Sequence, residues 1–187
     1  MTRACFLILL FLFPLNVIAN SNEKFVLQIL EPTGGKIEKP VSWFYEERHR
    51  SARSLSWVIS KEEPTNGYET GLAIQLMVGI QDKTKMTPAQ FVKNHLNAVA
   101  KAAISAKACE PESIGFFIRQ CLELEEEKVV NGKVIQFHVL YSFFWNDDTD
   151  MVGVTVAGSP SDSWSKYQGI FERMSKIDLI DMDRFKE

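Results

Sequence analysis

Over positions 68–80 the even residues read Tyr, Thr, Leu, Ile, Leu, Val and Ile, while Glu69, Gly71, Gln75 and Gly79 fall between them. A period of two puts those apolar side chains on one face of a strand whose other face is polar. Shorter apolar runs precede it at 25–30, which ends in the breaker cluster Glu31-Pro32-Thr33-Gly34-Gly35, and at 43–47 and 55–60; these read as brief strands. The period then changes. Thr87-Pro88-Ala89-Gln90 supplies an N-cap, a proline at the first helical position and a glutamine at the third, the order of a capping box. Val92, Leu96, Val99 and Ala103 follow at helical spacing, with Lys93, Asn94, Asn97 and Lys101 on the opposite side. The helix is expected to end near Ala106, before Cys109-Glu110-Pro111.

Two long runs, 116–130 and 133–145, flank Asn131-Gly132, whose residues tolerate the positive φ of a type I′ turn. They predict a long antiparallel hairpin. On its second arm Ile135, Phe137, Val139, Tyr141, Phe143 and Trp145 share one face, and Val134, Leu140 and Phe144 make the other partly apolar. A strand apolar on both faces belongs between two layers. The turn 146–150 leads into a strand at 151–157, and Ser159-Pro160 is expected to open a last helix. Trp164, Tyr167, Phe171 and Met174 share one side of that helix, flanked by Ile170 and Ile177. The order ββββαβββα, with hairpin connections and two substantial helices, predicts an α+β fold: a mainly antiparallel sheet of about seven strands covered by helices.

The first residues change the picture of compartment. Arg3 precedes the nearly continuous apolar run 5–15, and Val17 and Ala19 place small residues at −3 and −1 of a cut after Ala19. That is the order of a secretory signal peptide, residues 1–19, and Pro14 and Asn16 interrupt the run short of a membrane span. The expected mature chain is a single domain, residues 20–187, periplasmic or secreted, with no stable membrane insertion after cleavage. Lys and Arg number 21 against 24 Asp and Glu, and loss of Arg3 leaves 20 against 24, a net charge of −4. Such a balance gives no global attraction to nucleic acid or anionic lipid. Hydrophobic residues at 45% suffice for a real core. Export leaves Cys109 and Cys121 as the mature cysteines, and an oxidising compartment makes a disulfide between them the expected state, with about 3 kcal/mol of chain-entropy stabilisation. The alternative, a redox or metal-binding thiol pair, lacks the C-x-x-C spacing.

This order of elements, with the Pro32-Thr33-Gly34 turn after a short first strand and Pro40-Val41-Ser42-Trp43 early in the chain, resembles the PsbP-like group of small exported proteins, which includes DcrB-like bacterial members. The resemblance spans roughly residues 25–177. It implies an α/β/α sandwich without a shared enzymatic activity. Its best-known members are accessory subunits of the photosynthetic oxygen-evolving complex on the lumenal side of the thylakoid. The leader here resembles a bacterial export signal with no plastid-type transit region, so that role is not carried over, and no family site residue is transferred.

The side chains offer little assembled chemistry. His49, His95 and His138 show neither H-E-x-x-H nor H-x-H spacing, so no metal site is expected. His95 reads as a boundary side chain of the helix, and His138, beside Gln136, as a hydrogen-bonded partner under the covering layer. Arg48, His49, Arg50 and Arg53 form a charged stretch that reads as a solvated loop, with an anion site as its alternative. Asn146-Asp147-Asp148-Thr149-Asp150 lacks the glycine and distal glutamate of an EF-hand loop and reads as a hairpin turn. Asp178, Asp181 and Asp183 read as a frayed tail. Gly158-Ser159-Pro160-Ser161 reads as a helix cap rather than a nucleophile elbow, and Gly34-Gly35-Lys36 lacks P-loop spacing. No catalytic residue, metal or cofactor is therefore expected. The first functional reading is an exported, non-catalytic accessory or binding protein whose partner is a protein or an envelope component. The second is a small-ligand-binding protein with a cleft between sheet and helix, for which Trp43, Tyr45 and Trp57 would offer aromatic walls, core packing being their alternative use. A hydrolase without a recognisable motif is the third.

Overall fold

The computed structural model describes residues 23–65, 67–130 and 132–181. The expected leader and its cut after Ala19 lie outside the described residues, as do Asn131 of the hairpin turn and Asp183 of the tail. In chain order the elements are β1 (Phe25–Leu30), β2 (Gly34–Pro40), β3 (Phe44–Glu47), β4 (Ser54–Ser60), β5 (Gly71–Val78), α1 (Ile80–Thr84), α2 (Pro88–Ala102), β6 (Ser105–Ala108), β7 (Glu112–Ile114), β8 (Phe117–Val130), β9 (Lys133–Asn146), β10 (Met151–Pro160), α3 (Trp164–Met174) and β11 (Asp178–Ile180).

Eight of the strands form one antiparallel sheet in the order β3-β4-β5-β10-β9-β8-β6, with β7 also paired to β8. The fold class is as expected, an α+β sandwich built on a mainly antiparallel sheet. The strand inventory is not. β1 leaves the main sheet and joins β2 and β11 in a separate three-stranded sheet. β2 has no period-two signature, because glycines open it and Pro40 closes it.

The chemistry of individual segments explains where the elements begin and end. Thr87 and Gln90 exchange the two bonds of the capping box, Gln90 N–H to Thr87 Oγ1 at 3.2 Å and Thr87 N–H to Gln90 Oε1 at 3.1 Å. α2 stops at Ala102, short of the expected Ala106, because 105–108 extends as β6 and pairs with Leu122–Glu125 of β8. The strand expected over 68–80 occupies only β5, since Gly79 at φ +73° turns the chain into α1. Ser159 and Pro160 do not open the last helix. They end β10, opposite His138 and Phe137, and Ser163 stands at the N-cap of α3 one turn later. A proline at a strand end costs the ladder one donor at most, so the pattern suited either role. The tail is not frayed through 178–180, which pairs with β2.

β9 lies between two layers, as its doubly apolar pattern predicts. Phe137, Val139, Phe143 and Trp145 pack with Val92 and Leu96 of α2, while Leu140 on the opposite face joins the cluster of Tyr167, Ile170, Phe171 and Met174 from α3. Trp164 is only half-buried, stacked on His138 and Phe171 with centroids 4.1 and 5.5 Å away, so the deeper anchors of α3 are those four residues. Cys109 and Cys121 are bonded, with Cα atoms 5.1 Å apart, and tie the chain after β6 to β8.

The acidic turn between β9 and β10 docks the first helices. Asp147 Oδ1 accepts the Ala89 N–H of α2 at 2.8 Å, and Asp150 Oδ1 accepts the Gln81 N–H of α1 at 2.9 Å. Each carboxylate satisfies an otherwise orphaned donor at the positive end of a helix. Asp147→Ala is accordingly expected to cost about 1 kcal/mol, the worth of a helix cap, read as a lowered urea midpoint with an unchanged slope.

Candidate functional site: a trough between the main sheet and the α3–β11 segment

The pairing register lays out one face of the sheet in rows. Across β8, β9, β10 and β5 the first row is Arg119, Phe144, Gly153 and Leu76, the second Cys121, Ser142, Thr155 and Ile74, and the third Glu123, Leu140, Ala157 and Leu72. α3 and the strap leading to β11 lie over this face. Between them and the sheet runs a cleft of about 390 Å³ whose walls include Phe116, Phe117, Phe144, Met151, Leu179 and Ile180. A second cleft of about 220 Å³ runs beside α3, bounded by Glu123, Leu140, Trp164, Gln168 and Glu172. Arg119, Ser142, Thr155 and Ser175 line both and join them into one trough.

Several local features shape it. At Gly153 a Cβ would stand 2.5 Å from Cδ2 of Phe144 and 3.0 Å from Cδ1 of Leu179, so the missing side chain lets both press over β10. Arg119 Nε donates to Ser142 Oγ at 3.0 Å, and its Nη1 lies 3.3 Å from the Glu112 carboxylate. These bonds hold the guanidinium at the waist of the trough. Phe116 is 60% exposed at the rim and stacks on Phe117, centroids 4.3 Å apart. At the polar end, Glu123 takes the Nε2–H of His138 at 2.8 Å, and Glu172 takes an N–H of Gln168 at 3.0 Å.

The residues singled out in the sequence lie elsewhere. Trp43 and Trp57 are buried in the core, Trp43 edge-on to Tyr167 and Phe171, and neither lines the trough. Tyr45 is half-buried with its hydroxyl donating to Glu47 Oε1 at 3.1 Å, and burial followed by that carboxylate pushes its phenol up. The cleft between sheet and helix therefore exists, but its aromatic walls are Phe116, Phe117 and Phe144. The charged stretch after β3 is not a shared anion site: Arg48 pairs with Glu46 and the Pro64 carbonyl at 2.7 Å each, and Arg53 faces Asp82 at 3.5 Å.

His49 has a structural place. Its Nδ1 accepts the Ser56 N–H at 3.1 Å while its Nε2 lies 2.9 Å from the Glu31 carbonyl, which requires the tautomer with hydrogen on Nε2. His138 has the hydrogen-bonded partner expected of it, which proves to be the Glu123 carboxylate, under the cover of Trp164. His95 presents an edge to solvent and rests its ring 5.3 Å from that of Phe143. Burial there lowers its pKa from the ordinary 6.5. Below about pH 6.5 the unfolded chain binds the extra proton and the folded one resists it, so stability falls with pH until the folded value is passed. His95→Gln is expected to lessen the drop in melting temperature between about pH 8 and about pH 5.

With this geometry in place, the comparisons bear on the fold. The solution structure of cyanobacterial PsbP (CyanoP) from Synechocystis sp. PCC 6803 is similar at a TM-score of 0.52 and 15% identity, covering 83% of this chain and 92% of that one. LpqN of Mycobacterium tuberculosis, described as involved in cell envelope biogenesis, aligns at a TM-score of 0.48 and 12% identity over 88% of this chain and 95% of its own. The Saccharomyces cerevisiae Ran-binding protein Mog1p aligns at 0.46 and 12% over 86% and 98%. The first likeness shows a PsbP-like architecture, in agreement with the resemblance read from the sequence. No family model matches the chain, and no curated protein matches it.

Proposed function

We propose that this chain is an exported, non-catalytic binding protein of the periplasm or envelope, acting through the trough between the main sheet and the α3–β11 segment. The observation that carries the reading is the make-up of the trough. An aromatic and aliphatic floor surrounds one guanidinium, with hydroxyls at the waist and carboxylates at one end, the composition of a recognition site with a few orienting polar groups. The ring nitrogens of His49 and His138 bond to backbone groups and a glutamate, not to a serine or cysteine side chain that they would activate. A protein partner is the second reading, favoured by Ile114 and Phe116, 47% and 60% exposed beside the mouth.

A photo-crosslinking residue at position 116, with one at Lys93 on the solvent face of α2 as control, tests the site in the exporting cell. Adducts at 116 and none at 93 support it; equal or absent adducts defeat it. The exported product is expected to begin at Asn20, and an intact mass retaining residues 1–19 would overturn the assignment to a soluble compartment. Ester, phosphate, glycoside and peptide substrates are expected to remain unturned. Turnover abolished by His138→Ala would restore the hydrolase reading.

A further inference from the structure

Resting on that reading, we infer that the trough takes a single-chain zwitterionic amphiphile, its tail in the apolar cleft, its anionic group at Arg119 and its cationic group between Glu123 and Glu172. The order of side chains along the trough carries this. On β8 the cleft face runs Phe117, Arg119, Cys121, Glu123, each step of two residues advancing about 7 Å. The covering segment runs in the same sense, from Leu179 and Ile177 through Ser175 to Glu172 and Gln168. The walls therefore pass from a mainly apolar stretch that Asp178 interrupts, through a waist holding the guanidinium and hydroxyls, to an end where Glu123 and Glu172 stand beside Trp164 and Phe171.

Simpler ligands fit worse. A lone carboxylate at Arg119 would gain one guanidinium but meet Glu112, 3.3 Å from that guanidinium, and the carboxylates lining either side of the waist, Asp178 and Glu123. A lone cation at the acidic end would leave the guanidinium at the waist, already shared with Ser142 and Glu112, without a ligand group and the apolar cleft unfilled. An uncharged hydrocarbon would take water from the Arg119–Glu112 ion pair and from Thr155 and offer no polar group in its place. A headgroup with an anion next to the tail and a cation beyond it answers each wall in turn. A volume of about 390 Å³, at the small end for ligand sites, suits one chain and not two.

The experiment is native mass spectrometry and calorimetry of the oxidised mature protein below micelle-forming concentrations. The three probes are a lysophosphatidylethanolamine with one short acyl chain, the fatty acid of the same chain, and the alkyltrimethylammonium of the same length. The expected result is one-to-one binding of the lysophospholipid at least about tenfold tighter than either single-charge probe, a difference of about 1.4 kcal/mol. Arg119→Gln should weaken the lysophospholipid and fatty acid and spare the alkylammonium; Glu172→Gln should weaken the lysophospholipid and alkylammonium and spare the fatty acid. Both substitutions are at partly exposed positions, and unchanged melting temperatures certify the fold. Equal affinity for the three probes, or indifference to Arg119→Gln, overturns the inference. If no probe binds while position 116 still crosslinks in the cell, the ligand class is wrong and the binding surface stands. If crosslinking also fails, both fall.

Discussion

Trp57→Ala is expected to lower the unfolding free energy by about 3–5 kcal/mol, the range for deleting a buried aromatic. Trp57 is fully buried in β4, between Glu47 of β3 and Ile74 of β5. Its indole Nε1–H donates to the Glu31 carbonyl at 2.8 Å, and His49 packs edge-on at 5.3 Å. One residue thus ties the main sheet to the turn between β1 and β2. Against a total stability of about 5–15 kcal/mol, the loss is about a fifth or more of the whole. Trp57→Phe separates the contributions: it keeps most of the ring volume, removes the hydrogen bond, and should cost about 1 kcal/mol more than the lost area alone. Equilibrium urea denaturation of the three proteins reads the difference. A cost under about 1 kcal/mol for the alanine variant would show that this part of the core repacks.

Gly35→Ala is expected to act on the trough from outside it. A Cβ at position 35 would stand 2.5 Å from the Leu179 carbonyl oxygen and 2.6 Å from its carbon, both backbone atoms that no rotamer change can withdraw. β11 must move off β2, with a cost of about 1–3 kcal/mol for the overpacking. The larger effect should be on binding, because Leu179 and Ile180 of β11 are a wall of the apolar cleft. Amide hydrogen exchange is expected to speed up across β11 while the long β8–β9 hairpin keeps its protection. Protection unchanged at Ile180, whose backbone pairs with Gly34, would show that the small sheet tolerates the methyl.

The elements readable from sequence are those whose signal is local. The capping box Thr87–Gln90, the turn at Gly132 with its φ of +76°, and the two apolar faces of β9 each depend on residues within a few positions of one another. β2 was hidden because its glycines and Pro40 erase the alternation although its partner β1 is adjacent in the chain, and β11 because its partners Gly34 and Lys36 lie far back in the chain. The trough was hidden for the same reason. Phe116, Phe144 and Leu179 come from three separate segments that meet only around the folded cleft. Trp43 and Trp57 drew attention as aromatics in short strands, whereas their burial is what such strands need to hold together. The alternation of Leu140, Ser142 and Phe144 on the minor face of β9 was the available trace of a half-polar groove.

The place of β10 in the main sheet governs how the chain assembles. β8, β9 and β10 follow one another through short turns and pair as a local meander, and β3, β4 and β5 pair in chain order through the longer loops 48–53 and 61–70. The two ribbons meet only where residues 71–78 of β5 zip onto 151–158 of β10, across a large loop. Closing that loop costs entropy before any seam contact repays it, so the seam is expected to form after the two ribbons. Until it closes, β5 presents an unpaired edge rich in Leu and Ile, a template for the wrong neighbour. Made amino terminus first, the chain must hold its early ribbon open until strand β10 arrives, and variants that slow this arrival are expected to appear as aggregates rather than as weakened native protein.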